Sequence, residues 1–372
     1  MSTYRIALMP GDGIGVEVME AARLVLEVLS LDAVYVTADI GWKFWCEEGN
    51  PLPQRTIDIL KTCRCGLLGA ITSKAKDEAS KELAPDLRGK GLNYHSPVVS
   101  LRQFFDLYIN MRPCKSYPGN PLNYRDDIDL VIFRENTEGL YSGIEFFPLP
   151  HEVRVVIAKH NPGMEHFNEV PADQIAVSLR VITKRGANRI IHGAFEYARN
   201  FGYPTVTLAE KPNVLRETSG LMIREARSIA TQYSEIELRE TNIDAQMMWL
   251  VKDPNDYGVI VTSNMFGDII SDLAAQLVGG LGFSPSGNIG DDFAIFEPIH
   301  GSAPKYAGQY KVNPTAMLLG CKMMLSWLGE AEKAQALEGA IAAVIAEGEI
   351  RTYDMGGGSS TLDMAKAVVG RL

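Results

Sequence analysis

The chain has 372 residues, of which 46% are apolar and 22% are charged, and its formal net charge is -10. This composition is typical of a globular protein with enough material for two domains. The negative charge disfavours a partner such as nucleic acid or an anionic membrane, because these attract an excess of Lys and Arg. With no signal-like segment and no run long enough to span a membrane, we expect a cytoplasmic protein.

The first elements are a strand at 4–9, a glycine-rich turn at 10–15 and a helix from about 16 to 29. The turn has the spacing Gly-x-Gly-x-Gly, whereas a dinucleotide-binding fingerprint needs its third glycine one position later, at Val16. The turn therefore has a mainly structural role. Helical patterns at 56–61 and 219–233 alternate with further strands, and the alternation predicts an α/β fold with much parallel sheet. These strands are predicted at 33–38, 65–70, 130–134, 205–208 and 259–262.

Residues 143–184 break this alternation. Two β-branched runs, 151–159 and 174–183, flank a polar loop, and they predict a β-hairpin with no helix between its strands. A hairpin standing alone would expose its edges, so pairing with a second copy of the chain is expected.

A cation site is predicted after the strand at 259–262. Ser263 and Asn264 are typical of the start of a helix, on which Asp268 and Asp272 follow four residues apart. The two carboxylates share one face, and like charges at this spacing destabilise a helix unless a positive charge lies between them. Oxygen ligands of this kind suit Mg²⁺ or Mn²⁺.

Three arginines form a second group of candidate binding residues. Arg102 lies on a helical segment, Arg112 ends the following run, and Arg134 opens the sequence Arg-Glu-Asn-Thr-Glu-Gly-Leu-Tyr. Guanidinium groups bind carboxylates through two hydrogen bonds, so three that converge would hold a di- or tricarboxylic acid.

Tyr141 and Lys211 are candidates for proton transfer. A lysine beside a cation or in an apolar pocket loses its proton near neutral pH, and a tyrosine can return one. Lys211 follows a strand, where α/β folds bind ligands. Asp244 precedes a further apolar segment, and an acidic residue there is typical of the start of a helix.

The loop at 296–308 is rich in small residues, which favour an anion-binding loop.

Seven motifs, taken in chain order, resemble those of the β-decarboxylating dehydrogenases, the family of isocitrate, homoisocitrate and isopropylmalate dehydrogenases. The resemblance implies a fold that is not a Rossmann fold, with two domains that share a central sheet. Residues 1–107 and 259–372 would form a large cofactor-binding domain, and 108–258 a small dimerisation domain whose arm, at about 143–184, clasps a second subunit. The motifs are Pro-Gly-Asp-Gly-Ile-Gly at 10–15, Leu-Arg-Gln-x-x-Asp-Leu-Tyr with Met-Arg-Pro, Arg-Glu-Asn-Thr-Glu-Gly-Leu-Tyr, Lys-x-Asn at 211–213, Asn-Met-Phe-Gly-Asp-Ile-Ile-Ser-Asp, the glycine-rich 279–290 and His-Gly-Ser-Ala-Pro.

The resemblance also implies roles for these residues in a metal-dependent oxidative β-decarboxylation of a 2-hydroxy acid. Mg²⁺ or Mn²⁺ would be held by Asp268 and Asp272 together with Asp244 of a second chain, so that the active site spans a dimer. Tyr141 and Lys211 would be the catalytic residues. Substrate would be bound by Ser96, Arg102, Arg112, Arg134 and Asn213.

The cofactor is expected to be NADP, with NAD as the alternative. Lys305 stands where NAD-using members of the family typically carry an aspartate, and the Lys305-Tyr306 pair and Tyr353 resemble NADP-using isocitrate dehydrogenases, although Gly357 replaces an expected arginine. A cation at this position suits a 2′-phosphate. The implied cofactor-binding residues are Thr72, Glu297, His300, Gly301, Ser302, Ala303, Lys305, Tyr306, Asn313 and Tyr353.

The substrate side group should contact Ser96-Pro97-Val98-Val99. Ser96 matches isocitrate enzymes, whose nearby asparagine is replaced by Val98, while the Ser-Pro-Val-Val string is similar to Ser-Pro-Ile-Val of some homoisocitrate enzymes. Val99 replaces the arginine of other homoisocitrate enzymes, and the paired leucines of isopropylmalate enzymes are missing. Isocitrate is the first expectation, followed by homoisocitrate and 3-isopropylmalate. A non-catalytic regulatory subunit is the alternative class, which the presence of Tyr141 and Lys211 disfavours.

Overall fold

The computed structural model describes residues 4–372, apart from the side chain of Lys76. Among these residues it has twelve strands, β1 Tyr4–Gly11, β2 Ala33–Thr37, β3 Cys65–Ala70, β4 Ile109–Lys115, β5 Asp129–Glu135, β6 Glu145–Phe146, β7 Val177–Ser178, β8 Thr205–Glu210, β9 Glu237–Asn242, β10 Val259–Thr262, β11 Pro285–Ile289 and β12 Ala294–Pro298. The α-helices are α1 Gly15–Val28, α2 Trp42–Glu48, α3 Gln54–Leu60, α4 Lys76–Lys81, α5 Pro97–Phe104, α6 His151–His160, α7 Lys184–Phe201, α8 Thr218–Ala230, α9 Ile243–Lys252, α10 Asn264–Leu277, α11 Thr315–Trp327, α12 Ala331–Glu347 and α13 Thr361–Val369.

Ten of the strands form one central sheet in the order β2-β1-β3-β12-β11-β4-β5-β10-β8-β9. The first four strands are parallel to one another, and so are the last four. Between them, β11 and β4 pair antiparallel with each other and with their outer neighbours. The two parallel halves therefore run in opposite directions, which differs from the single direction of a Rossmann sheet. This confirms the predicted α/β fold.

Helices cover both faces of the sheet. The apolar face of α7, which carries Ile190 and Phe195, packs on one side of β5, β8 and β10, and α10 packs on the other side through Ile270 and Ala274. The β10 strand is entirely buried between these layers because its Val and Ile side chains meet apolar surface on both faces. Helix α10 is thereby fixed beside the ends of β5 and β10.

The predicted division into domains at residues 107 and 258 falls within this continuous sheet. Strand β10 lies between β5 and β8, so residues 109–262 contribute a contiguous half of the sheet. The assignment of 259–372 to a separate cofactor-binding domain stays a prediction. Among the helices of the described part of the chain, none is long and apolar enough to cross a membrane.

The predicted β-hairpin at 151–159 and 174–183 was wrong. Residues 151–160 form helix α6, followed by a 3₁₀-helix at Pro162–Phe167, and the only strand in the second run is β7, which pairs antiparallel with β6. Val153 and Ile157, one helical turn apart, pack against a small cluster centred on Met164. Val155, which lies between them in sequence, is 49% exposed. A strand would place all three side chains on one face, whereas a helix turns Val155 away from the cluster. We call residues 143–184 the arm.

Candidate active site

The predicted arginines come from three elements, and two of the arginines contact helix α10. Arg102 lies on α5, Arg112 on β4 and Arg134 near the end of β5. Arg112 contacts both acids of α10, with Nη2 3.2 Å from Asp268 Oδ1 and Nη1 3.4 Å from Asp272 Oδ1. Arg134 also pairs with Asp268. The positive charge that the acid pair requires is thus supplied here by guanidinium groups.

A glycine allows this close approach. A Cβ added at Gly267 would lie 2.5 Å from Cγ of Arg134 and 3.1 Å from its backbone Cα, so a larger residue on α10 would collide with β5. Asn264, at the start of α10, accepts hydrogen bonds from Nε and Nη2 of Arg134 at 3.0 and 2.8 Å. Arg134 is only 2% exposed and is held in one orientation.

Other polar residues orient the remaining arginines and were missed by sequence reasoning. Nε of Arg112 donates to Asn110 at 2.7 Å, and its Nη1 donates to Ser271 at 2.6 Å. Nε of Arg102 donates to Asn288 Oδ1 at 2.9 Å. Asn110 lies two residues before Arg112 and so on the same face of β4, a relation that the spacing in the sequence predicts. Asn288 is distant in sequence and offers no such signal.

The guanidinium groups of Arg102 and Arg134 are desolvated and lie near other cations. Burial, with the neighbouring Arg112 and Arg102 guanidinium groups, lowers the pKa of Arg134 to about 9. Burial likewise lowers the pKa of Arg102, against the attraction of Glu297, and burial raises the pKa of Asp272. Crowded, desolvated cations are stabilised by bound anions, so this surface favours a ligand with several carboxylates.

Tyr141 joins the same group. Its hydroxyl donates to Asp268 Oδ2 at 3.1 Å, and the Arg134 guanidinium lies 5.5 Å from its ring. Burial and the Asp268 carboxylate raise the pKa of Tyr141. The phenol is therefore protonated at neutral pH and is able to donate a proton to a bound ligand.

Lys211 and Asp244 form a separate pair. Lys211 follows β8, Asp244 lies in the first turn of α9, and the ammonium bonds the carboxylate directly. The Lys211 ammonium holds the pKa of Asp244 below its usual range. Asn213 is exposed, two residues beyond Lys211. Within residues 4–372, no three His, Cys, Asp or Glu side chains come together as a metal site, so Asp244 does not join Asp268 and Asp272 in this chain.

Ser96 lies at the start of α5, the helix that carries Arg102. Its carbonyl accepts a hydrogen bond from the Ser100 hydroxyl at 3.2 Å. Val98 and Val99 precede Arg102 by four and three residues, so they flank it on the helix surface. Val98 packs partly into an apolar cluster, which leaves Val99 as the less constrained neighbour of the arginine group.

A cleft of about 560 Å³ contains most of the predicted cofactor residues. The Nδ1 atom of His300 lies 3.0 Å from the Gly301 carbonyl, and its buried Nε2 has no partner; burial lowers the pKa of this imidazole. A neutral ring with Nδ1 donating leaves Nε2 as a free acceptor. The cleft is lined by His300, Gly301, Ala303, Tyr306, Asn313, Tyr353 and residues of the 279–282 loop.

Thr72, Ser302 and Glu297 are predicted cofactor residues that do not line this cleft. Thr72 and Ser302 share a hydrogen bond of 2.6 Å between their hydroxyls. Glu297 accepts from Asn288 at 2.7 Å and lies 3.7 Å from Arg102, so it is adjacent to the arginine group. The turn at 10–15 contributes Asp12, whose carboxylate accepts from the backbone N–H of Thr72 at 2.8 Å.

Two lysines mark one end of the cleft. The Lys305 and Lys311 ammonium groups lie 4.7 and 4.2 Å from the centre of the Tyr306 ring, which is 5.5 Å from the ring of Tyr353. Sequence reasoning identified Lys305 and missed Lys311, although both cations occur in one short loop. Together they provide a doubly positive, aromatic surface.

Comparison with known proteins places this arrangement in a family. The family model described as isocitrate/isopropylmalate dehydrogenase matches residues 5–368. The chain belongs to this family. A crystal structure of isocitrate dehydrogenase from Methylococcus capsulatus has a TM-score of 0.86 and 39% sequence identity, and the match covers 99% of each chain.

Curated relatives carry several names. A 3-isopropylmalate dehydrogenase of Methanothermobacter thermautotrophicus is 40% identical over all of this chain and 99% of its own length. An isocitrate/homoisocitrate dehydrogenase of Thermus thermophilus is 39% identical over 98% of both chains. Protein DlpA of Legionella pneumophila is 44% identical over 98% of this chain, which spans 58% of DlpA. These relatives support a dehydrogenase of hydroxy acids and leave the substrate open.

Members of the isocitrate/isopropylmalate dehydrogenase family depend on NAD(P) and a divalent metal, and the residues of this chain fit both groups. The hard oxygen donors of Asp268 and Asp272 suit Mg²⁺ or Mn²⁺, although one chain supplies only this part of a ligand set. The unpartnered Nε2 of His300 and the small residues around it fit a nucleotide.

Proposed function

We propose that this protein oxidises and decarboxylates isocitrate to a 2-oxo acid and CO₂ with reduction of NADP. The observation that supports this proposal most is the convergence of Arg102, Arg112 and Arg134 beside Asp268 and Asp272. Three buried guanidinium groups match a substrate with several carboxylates. Homoisocitrate is the second candidate and 3-isopropylmalate the third.

The residues of the site divide the reaction between binding and proton transfer. The arginines bind the carboxylates and orient C2 of the substrate. Lys211, acting as the neutral amine, accepts on Nζ the proton of the C2 hydroxyl as hydride leaves C2, and the Tyr141 hydroxyl donates a proton to C3 of the enolate that remains after CO₂ is lost. When bound, the divalent cation stabilises negative charge on the substrate oxygens, and the nicotinamide accepts the hydride.

Two copies of the chain are needed to assemble these parts. Lys211 and Asp244 pair with each other and not with the arginine group, so each site would combine Asp268 and Asp272 with Lys211 and Asp244 of the partner subunit. Exposed apolar side chains on α9, Met248 and Trp249, give such a partner a surface to cover.

The substrate preference rests on the start of α5. Ser96 offers a hydroxyl where a third carboxylate would lie, and Val99 beside Arg102 makes the neighbouring wall apolar. Of the two tricarboxylic candidates, isocitrate has the shorter side group carrying the third carboxylate. This shorter group suits a pocket with one hydroxyl and no additional cation. A purely apolar side group, as in 3-isopropylmalate, would leave the Ser96 hydroxyl without a partner.

The preference for NADP rests on the lysine pair. The ammonium groups of Lys305 and Lys311 both flank the Tyr306 ring. A 2′-phosphate carries about -2 charge, and two cations would bind it far better than the uncharged ribose hydroxyl of NAD.

A substrate screen tests the proposal. The purified protein is assayed with isocitrate, homoisocitrate, 3-isopropylmalate and tartrate, each with NADP and NAD and with Mn²⁺. We expect the highest kcat/KM for isocitrate with NADP, by about tenfold or more over each alternative.

A different assay outcome would contradict each part of the proposal. A higher kcat/KM for another acid would replace isocitrate, and a higher kcat/KM with NAD would overturn the cofactor assignment. Inactivity on every combination would refute the proposed reaction and favour a regulatory subunit.

A further inference from the structure

The residue before Lys211 is the centre of a buried polar network. Glu210 ends β8 and is 1% exposed. Its carboxylate accepts hydrogen bonds from Arg180 Nη2 at 2.9 Å, Ser219 Oγ at 2.6 Å and the backbone N–H of Ser263 at 3.0 Å. A buried carboxylate with three donors is held rigidly, because losing any of them would leave charge unsatisfied.

Arg180 reaches this network from the arm. Besides Glu210, its guanidinium donates to Thr218 Oγ1 at 2.8 Å and to Ser263 Oγ at 2.7 Å, and it lies 5.1 Å from the ring of Phe266. Thr218 begins α8, and Ser263 immediately precedes α10. One side chain of the arm therefore ties together the end of β8 and the starts of two helices.

The network is also connected to Lys211 itself. The backbone N–H of Lys211 donates to Ser219 Oγ at 3.3 Å, and the same hydroxyl bonds Glu210 and Arg180. Ser219 thus holds both the Glu210 carboxylate and the N–H of the Glu210-Lys211 peptide. Lys211 contacts neither Arg180 nor the Glu210 carboxylate through its own side chain, so any effect on it is indirect.

We propose that Arg180 is a positioning residue for Lys211, and this inference rests on the proposed function. Arg180 neutralises Glu210 and sets where β8 ends, and this determines where the Lys211 ammonium can reach. Because Arg180 also bonds Ser263, it fixes the lysine relative to α10 of its own chain, and so to the body of the subunit that presents Lys211 to the partner's site. A displacement of about 1 Å at a catalytic group can cost about 100-fold in rate.

The test compares Arg180 with a second arginine of the arm. Arg154 donates to the backbone carbonyls of Val170, Phe167 and Asn168, so it stabilises the arm without touching the Lys211 network. Arg180→Lys retains the charge beside Glu210 and loses the forked contacts to Thr218 and Ser263, whereas Arg180→Met removes both. Arg154→Lys and Arg154→Met are the matched controls.

For each variant, kcat, KM and the primary isotope effect with substrate deuterated at C2 are measured, together with the oligomeric state and Tm. We expect kcat to fall about tenfold in Arg180→Lys and about 100-fold in Arg180→Met. KM should change by less than about threefold, because the arginines that bind substrate are unaltered. The isotope effect on kcat should rise, since proton removal and hydride transfer then limit turnover.

The control variants should retain the kcat and isotope effect of the unaltered protein. Equal losses of kcat in the Arg154 and Arg180 variants would show a general effect of the arm and overturn the inference, as would normal kcat in Arg180→Lys. If Arg180→Met does not fold, Arg180→Lys decides the question. Inactivity of the unaltered protein on every acid refutes the proposed function, whereas an active parent with normal Arg180 variants refutes only the positioning role.

Discussion

At the scale of single residues, the site depends on how closely charged side chains are allowed to approach. Arg134 contacts Asp268 because α10 presents no side chain at Gly267. Along one edge of the same guanidinium, Nε and Nη2 both donate to Oδ1 of Asn264. The position of this proposed binding residue is thus set by a neighbour that lacks a side chain.

Gly267→Ala should therefore damage both stability and substrate binding. The added methyl group would meet the Cα and Cβ atoms of Arg134, which cannot move without shifting β5, so we expect a loss of about 1–3 kcal/mol in the free energy of unfolding. KM for the substrate should rise about tenfold as the guanidinium is displaced. Denaturant unfolding and steady-state kinetics measure the two effects.

Gly339→Ala is the matched control. Gly339 lies within α12, and an added Cβ there meets nothing within 4 Å. This change should stabilise the protein by about 0.5–1 kcal/mol, because alanine favours a helix, and it should leave KM unchanged. An unaltered KM in Gly267→Ala would show that Arg134 does not bind the substrate.

At the scale of elements, buried strands could be predicted from sequence and the arm could not. Strands β3 and β10 occupy the predicted 65–70 and 259–262 because uninterrupted apolar runs suit a strand covered on both faces. In the arm, β-branched residues suggested strands, yet α6 forms there. The helix packs Val153 and Ile157 on one apolar cluster and leaves Val155 exposed, and this tertiary packing overrides the weak strand preference.

The same limit applies to the site. The seven motifs indicated the arginines, acids, tyrosine and lysine, because each occurs in a short characteristic string. Asn288, which accepts from Arg102, and Arg180, which bonds Glu210, are separated from their partners by long stretches of chain. Their roles follow from the paths of strands through the sheet, and one sequence does not reveal such pairings.

The packing of α6 yields a prediction for the arm. Ile157→Ala removes apolar contacts with the arm cluster, so the local stability of α6 should fall by about 1–2 kcal/mol, less than for a fully buried isoleucine. Hydrogen exchange of the α6 amides should accelerate, while exchange in β10 stays unchanged. Val155→Ala, at a side chain that is 49% exposed, is the control, and equal acceleration in both variants would contradict this packing.

At the scale of the whole molecule, the proposed function requires a second subunit, because Lys211 and Asp244 pair with each other away from the arginine group. The arm exposes Phe147, Val156 and Phe167, apolar side chains that a partner would remove from water. The arm also carries Arg180, which reaches the Lys211 network. Assembly and the placement of the lysine are therefore expected to depend on the same segment.

Val156→Asp should separate the subunits and weaken the metal site together. Val156 is 59% exposed on α6, and burying a new carboxylate at an interface without a partner is unfavourable. A monomer would retain Asp268 and Asp272 but lose Asp244 of its partner. We therefore expect sedimentation to show a smaller species, and calorimetry to show that the affinity for Mn²⁺ has fallen about tenfold or more.

Val34→Asp distinguishes this effect from the mere addition of an acid. Val34 is 46% exposed on β2, at the edge of the sheet and outside the arm, so this variant should keep the parent's oligomeric state and Mn²⁺ affinity. If Val156→Asp is monomeric and binds Mn²⁺ as tightly as Val34→Asp does, Asp244 of a second chain is not a ligand. In that case Asp268, Asp272 and substrate oxygens would hold the cation without a residue from the partner.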